Sequence, residues 1–411
     1  MSDSIPYNFE LERQSLDKMG LKRFGLSLSL QYEPICNLMT PKNLFLLEVL
    51  LFCLVVPLAA QAPSRTSQPR VFPPEVHTDN SVTFQVFSPA SSRVGVTVGT
   101  ASFPMGRDPD GLWSVTTTPL PPGFHYYFLD LDGLQVNDPN SPAYYGYSKE
   151  SGGIEIPEPG TDIFEIQDVP HGIIHEVKYR SSVAGGWKEL RVYTPAGYDS
   201  GKQKYPVLYL QHGGGENRTS WFNQGRAANI LDNLIAAGKA VPMIVVCADG
   251  QIPGGGGYSW DGMQGFREEM IDNIIPAVER QFRVRKNKDS RALCGLSMGG
   301  GQSFFVGLRC PEVFGHVGVF SAGLFSGLGN SSPNLEESIP GIWSDPAGFN
   351  RQRKLFFIAC GEDDFRYEAT TAAVEDLQER GVDVVYRHYP GDHEWQPWRK
   401  ALRDFASLLF R

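Results

Sequence analysis

The chain has 411 residues, 41% of them hydrophobic and 20% charged, which is apolar material enough for a large core and, at this length, for roughly two or three domains. The formal net charge is −9 and no run rich in Lys or Arg stands out, which argues against a nucleic-acid-binding protein. Eight His and six Cys form no C-x-x-C or H-E-x-x-H spacing, so neither a metal nor another cofactor is expected.

Residues 1–62 read as a signal or targeting region. Lys42 supplies a positive start, an apolar run extends from Val49 to Ala60, and Ala60-Gln61-Ala62 has the form of a cleavage site. The run falls short of the about 20 apolar residues a membrane span needs, so the mature form is expected to be secreted or periplasmic, with no stable span. Met39 fits better than Met1 as the true start, because residues 1–38 match no targeting pattern. Cleavage would remove Cys36 and Cys53; Cys247, Cys294, Cys310 and Cys360 lie in or beside apolar runs and read as buried thiols. Residues 63–70 (PSRTSQPR) read as a linker.

Residues 71–170 alternate polar and apolar positions in short stretches: Ser81–Phe87, Arg93–Val98, Leu112–Thr116 and Phe124–Leu129. Turn signals separate them at Asp108-Pro109-Asp110-Gly111, Pro121-Pro122-Gly123 and Asp132-Gly133, a spacing that predicts a small β-sandwich. The pattern Asp110-Gly111-Leu112-Trp113, then Pro122 to Phe128, then Asp138-Pro139 resembles the immunoglobulin-like N-terminal modules of glycogen-branching enzymes. That resemblance implies a carbohydrate-binding platform, but Trp113 and the tyrosines are favoured as core or interdomain packing, since fold analogy does not establish a site.

Residues 171–411 switch to alternating strands and helices, as in a mostly parallel α/β sheet. Glu176–Tyr179 and Glu189–Tyr193 form an opening hairpin. Tyr205–Leu210, Met243–Cys247, Ala292–Cys294, Phe314–Phe320, Leu355–Ala359 and Val382–Tyr389 read as strands. Arg226–Ala237, Arg267–Phe282 (irregular at Pro276), Gly301–Arg309, Tyr367–Arg380 and Trp395–Phe410 read as helices.

Between a buried strand and a helix lies Gly295-Leu296-Ser297-Met298-Gly299, a G-x-S-x-G nucleophile elbow. Glycines there remove side chains from a sharp turn, and Ser297 is left exposed above a helix N-terminus that favours negative charge. A serine hydroxyl needs a base, and in α/β-hydrolases the acid and then the His follow the Ser along the chain. His393 sits in a loop after the last strand, where an imidazole can reach Ser297; His388 lies within that strand and is the weaker candidate. The acid comes from Gly361-Glu362-Asp363-Asp364, with Asp364 favoured and Asp363 the alternative. Oxyanion donors are expected from the backbone of Met298 and of the Gly213-Gly214-Gly215 loop, with Gly214 preferred. Trp221, Trp260 and Trp395, with Tyr258 and Trp398, stand on loops at the strand ends and are candidate substrate contacts.

These segments together resemble the esterase D-like family, which includes feruloyl and acetyl-xylan esterases, mycolyltransferases, S-formylglutathione hydrolases and enterochelin esterases. The resemblance spans about residues 171–411, and with the N-terminal module it is nearest to secreted feruloyl or acetyl-xylan esterases. Two departures are Gly-Asp-His in place of the commoner Gly-Gly-His before the base, and the adjacent Asp363 and Asp364. The expected fold is an α/β-hydrolase preceded by an immunoglobulin-like sandwich. The expected partner is an acylated carbohydrate or small ester, cleaved through an acyl-enzyme on Ser297. The alternatives are a siderophore esterase, an acyltransferase, or a non-catalytic glycan-binding protein.

Overall fold

The computed structural model describes residues 71–160, 162–252, 259–322 and 335–411. The expected targeting region and linker (1–70) and the Gly254–Tyr258 loop lie outside the described residues, as does the side chain of Trp260.

Ten short strands build the N-terminal region: β1 Glu75–Val76, β2 Val82–Phe87, β3 Val94–Val98, β4 Ala101–Pro104, β5 Gly106–Arg107, β6 Leu112–Thr116, β7 Gly123–Leu131, β8 Leu134–Val136, β9 Ala143–Gly146 and β10 Lys149–Ile156. They form two antiparallel sheets, β1-β2-β6-β5 and β4-β3-β7-β10-β9, with β8 beside β7. The period-2 pattern turns Val82, Phe84 and Val86 of β2, and Val94, Val96 and Val98 of β3, into one core with Trp113, Tyr127 and Leu129. Trp113 is therefore a core residue, its indole N–H donating to the Ser88 carbonyl at 2.9 Å.

From Ile173 the chain forms a single eight-stranded sheet. Its strands are β11 Ile173–Ser181, β12 Gly186–Thr194, β13 Val207–Gln211, β14 Ile244–Ala248, β15 Arg291–Leu296, β16 His316–Phe320, β17 Leu355–Gly361 and β18 Val385–Tyr389, in the order β11-β12-β14-β13-β15-β16-β17-β18. Within the β11–β12 hairpin only β12 runs against the rest of the sheet; β14, β13, β15, β16, β17 and β18 are mutually parallel, and β11 points the same way as they do. All residues of β13, β14, β15 and β16 are buried, because helices cover both faces.

The helices are α1 Ala227–Ala236, α2 Trp260–Glu268, α3 Ile275–Gln281, α4 Met298–Gln302, α5 Leu335–Ser338, α6 Pro346–Arg351, α7 Tyr367–Glu379 and α8 Trp395–Leu408. Leu208 and Leu210 point to a cluster with α1 and α8, whereas Val207 and Tyr209 point to one with α2 and α3. The helix expected over 267–282 begins earlier, at α2, where the Ser259 hydroxyl accepts the Gly262 N–H at 3.0 Å. It passes through a π-helical stretch, Glu269–Ile274, before α3. Pro276 lacks an N–H and its ring crowds the preceding turn, which accounts for the opened ladder just before it. A second π stretch, Ser303–Gly307, follows α4.

Residues Pro69–Arg411 cluster as one compact unit. Within it Phe124 of β7 joins the core cluster of α1 and α8, while Tyr127 and Leu129 of the same strand face the N-terminal core. The four described cysteines, Cys247, Cys294, Cys310 and Cys360, are buried free thiols. Among the described residues no helix is long and apolar enough to cross a membrane.

Candidate active site

Ser297 ends β15 and precedes α4 with φ 49° and ψ −112°, a region that L-residues rarely occupy and that costs on the order of 1–3 kcal/mol. Its surroundings hold it there. The Ser297 N–H donates to the Phe320 carbonyl at 2.8 Å, the Gly299 N–H to the His212 carbonyl at 3.1 Å, and the Gly301 N–H to the Ser297 carbonyl at 3.0 Å. A Cβ on Gly295 would lie 2.5 Å from the backbone of Gly299, and one on Gly299 would lie 2.5 Å from the His212 carbonyl oxygen. Both glycines of the elbow are thus required by close backbone approach.

Asp364 follows β17 and His393 follows β18, neighbouring strands of the sheet. The Asp364 Oδ2 and His393 Nδ1 are 2.8 Å apart. Asp364 is 3% exposed, and its Oδ1 accepts the Arg366 N–H at 2.9 Å. Burial alone would raise this carboxyl. The His393 hydrogen bond and charge outweigh it, helped by the Arg366 N–H and the Ser321 hydroxyl, and hold it below the ordinary carboxylate range. Asp363 is exposed and does not reach the imidazole; its N–H donates to the Gly391 carbonyl. His388 lies within β18, exposed, with Nδ1 at 2.6 Å from Glu362. With Nδ1 engaged by Asp364, His393 keeps Nε2 for a cavity of about 210 Å³ that it lines together with Ser297.

The loop after β13 forms another side of that cavity, through Gly213, Gly214 and Glu216. The buried His212 fixes it: Nε2 accepts the Gly250 N–H at 3.0 Å, and Nδ1 donates to the Gly213 carbonyl at 2.7 Å. Burial lowers the His212 pKa, consistent with the neutral ring this pattern demands. In a trans peptide C=O and N–H point opposite ways, so anchoring the Gly213 carbonyl on His212 turns the Gly214 N–H away from it. The Gly213 N–H is taken by Glu216 Oε2 at 3.0 Å. Among the described residues no protein group accepts from the N–H of Gly214 or of Met298.

Residue patterns did not single out Glu216, His212, Tyr126 or Tyr147. Glu216 is buried, and burial raises its carboxyl to about 7 against the hydrogen bonds from Gly213, Tyr126 and Trp395 that favour the charge. Its Oε1 accepts from the Tyr126 hydroxyl of β7 at 2.9 Å. Tyr126, Phe124, His125 and Tyr147, all from the N-terminal region, line the cavity with Trp395 and Trp398. The turn between β9 and β10 docks on the glycine loop, Ser148 N–H donating to the Gly215 carbonyl at 2.7 Å. Trp395 is 2% exposed and lines the cavity. Trp221, 1% exposed, instead packs edge-on against Trp395 and donates to the Gln211 carbonyl at 2.8 Å, supporting the loop from the core.

Residues 181–407 match the family Esterase, described as "Putative esterase". A relative named endo-1,4-beta-xylanase/feruloyl esterase, from Xylanibacter ruminicola, is 36% identical over 361 residues, which cover 85% of this chain and 47% of the relative. The chain thus spans about half the length of that curated relative. A solved ferulic acid esterase matches at TM-score 0.51 and 26% identity, covering 58% of this chain and 97% of its own. The Shigella flexneri enterobactin esterase FES, solved with enterobactin, matches at TM-score 0.58 and 18% identity over 84% of this chain and 98% of its own, a likeness of fold.

Proposed function

We propose that this chain, which belongs to the esterase family, is a serine carboxylic-ester hydrolase acting on acyl groups carried by plant polysaccharide, with feruloyl esters as the favoured class. One observation carries the reading: a nucleophile-elbow serine and a carboxylate-anchored histidine line the same cavity.

Ser297 Oγ attacks the ester carbonyl carbon while its proton passes to His393 Nε2. Asp364 keeps the proton on Nδ1 and stabilises the imidazolium that forms. The oxyanion is held by the N–H groups of Gly214 and Met298, each worth about 2.7–4 kcal/mol. The tetrahedral intermediate collapses, the C–O bond breaks, and His393 returns the proton to the leaving alcohol. Water then attacks the acyl-enzyme by the same route, releasing the acid and restoring Ser297. Ionised Glu216 accepts from the Gly213 N–H and acts on the donor loop as a positioning residue.

The aromatic lining of Phe124, Tyr126, Tyr147, Trp395 and Trp398 supports a phenolic acyl group in the cavity. The relative from Xylanibacter ruminicola carries the xylanase and feruloyl esterase names together, which supports xylan as the polymer. We read the N-terminal strands as an immunoglobulin-like sandwich whose role is to wall the substrate cavity, since Trp113 is consumed by its core. Export to the polymer fits the targeting pattern of residues 1–62.

The test is turnover of methyl ferulate, acetylated xylan and p-nitrophenyl acetate by the wild type and Ser297→Ala. Ser297→Ala should lose at least about a thousandfold in kcat on every ester that the wild type cleaves. Methyl ferulate should be preferred over the acetyl esters. Turnover that survives Ser297→Ala would remove the serine mechanism.

A further inference from the structure

Resting on the reading that the ester is borne by a polysaccharide, we propose that Trp187 and its charged neighbours form a separate sugar-binding subsite that holds the polymer main chain beside the catalytic cavity. Trp187 is 69% exposed, a large apolar ring that joins no core cluster among the described residues. It lies in a concavity of about 610 Å³ with Lys178, Lys188, Glu189, Arg218 and Asp249.

The strand register fixes where this concavity sits. Leu190 of β12 pairs with Ala248, the last residue of β14, so Trp187, Lys188 and Glu189 overrun that strand end. Tyr209 of β13 is level with Val246 of β14, and Gln211 is level with Gly295 of β15. Two residues beyond Gly295, Ser297 therefore stands near the height of Lys188, on the same rim of the sheet. β12, β14, β13 and β15 are consecutive, so three strand spacings, roughly 15 Å, separate the two places. One loop serves both: Gly213, Gly214 and Glu216 line the catalytic cavity, and Arg218 lines the second.

The chemistry fits a pyranose ring. An indole face accepts the C–H face of a sugar, and its hydroxyls need fixed donors and acceptors at the ring's edge. Those groups are already held in place. The Arg218 N–H donates to Asp249 Oδ1 at 2.9 Å, its guanidinium pairs with Asp249 at 3.3 Å and with Glu189, and Lys188 Nζ donates to the Asp249 carbonyl at 3.0 Å. Charges of both signs are interleaved, which suits a neutral polyol better than a polyanion. Prearranged groups lose little freedom on binding, so a shallow site can still hold a chain.

The experiment titrates xylohexaose into the full chain by calorimetry, comparing wild type with Trp187→Ala and Trp187→Phe. Wild type should bind, Trp187→Ala should bind at least about tenfold more weakly, and Trp187→Phe should fall between. In parallel, kcat/KM of Trp187→Ala should drop about tenfold on feruloylated xylan. It should stay within about twofold on methyl ferulate, since an exposed hairpin residue perturbs the fold little. Wild type that does not bind xylohexaose, or binding that Trp187→Ala leaves unchanged, overturns the subsite. Ser297-dependent turnover of methyl ferulate reports on the catalytic reading alone. It survives if only the subsite is wrong, and it is missing if the catalytic reading is wrong, whatever xylohexaose does.

Discussion

Asp364 and Glu216 are both buried carboxyls, and their environments push them in opposite directions. Asp364 faces an imidazole and stays charged; replacing it with Asn keeps the volume but frees the wrong tautomer of His393. Asp364→Asn should lower kcat on methyl ferulate about ten-thousandfold with little change in the thermal unfolding midpoint, read by single-turnover kinetics and calorimetry. Glu216 has its folded pKa raised from 4.5 to about 7, so between these values the folded state keeps a proton that the unfolded chain releases. Its contribution to stability is full below about pH 4.5 and is lost as the pH rises through about 7, a swing on the order of 3 kcal/mol. Glu216→Gln should remove that slope, as urea unfolding at about pH 5 and about pH 7.5 would record. It should also weaken kcat more than KM above neutral pH, where the wild-type carboxylate is charged. Ser297, Asp364 and His393 were legible because each carries its signal in its own few neighbours. The Tyr126–Glu216 contact joins residues 90 positions apart and leaves no local trace. Trp221 shows the limit of such local signals: its indole is spent on Trp395 and the Gln211 carbonyl, whereas Trp395, just as buried, lines the cavity.

The elbow and the strand β7 show how single elements carry two duties. The elbow must bring β15 into α4 while exposing Ser297, and its glycines leave no room to spare. Gly299→Ala would set a Cβ 2.5 Å from the His212 carbonyl oxygen and 2.7 Å from Gln211 Cβ. Both belong to the segment that holds the donor loop, so the shift should displace Ser297 and Gly214 relative to each other and cost about a hundredfold or more in kcat/KM on p-nitrophenyl acetate. The strands of the parallel sheet were legible as apolar runs bounded by glycine, whereas β9 and β10 were not. β10 carries Gly152 and Gly153, which weaken any strand signal. The reason lies across the strand, where a Cβ on either glycine would meet the rings of Tyr127, Tyr144 or Phe124 within 2.7 Å. Those rings press close against β10 because it has no side chains there, an arrangement that only pairing reveals.

The N-terminal strands and the parallel sheet are read in the sequence as two regions with different periods, and nothing in either period predicts how tightly they join. Their union rests on long-range polar contacts. Arg399 of α8, 2% exposed, makes a two-pronged bond to Glu155 of β10 at 2.7 and 3.0 Å, and its Nε donates to the Gln224 carbonyl at 2.8 Å. Glu155 is shared with Arg226 at 3.1 Å, and Lys400 reaches Glu158 at 2.7 Å. Truncating Arg399 strips the Gln224 carbonyl of its donor and removes the two-pronged bond from a part-exposed Glu155 that keeps Arg226, so Arg399→Ala should cost about 1–3 kcal/mol. If the regions fold as one unit, that loss lowers the urea midpoint with the slope unchanged, and circular dichroism and tryptophan fluorescence trace the same transition. If they fold separately, Arg399→Ala divides the transition in two, with Trp113 reporting one part and Trp395 the other. A single transition is the expected result, because the cavity at Ser297 takes walls from both regions and a seam that opened independently would uncouple Tyr126 from Glu216.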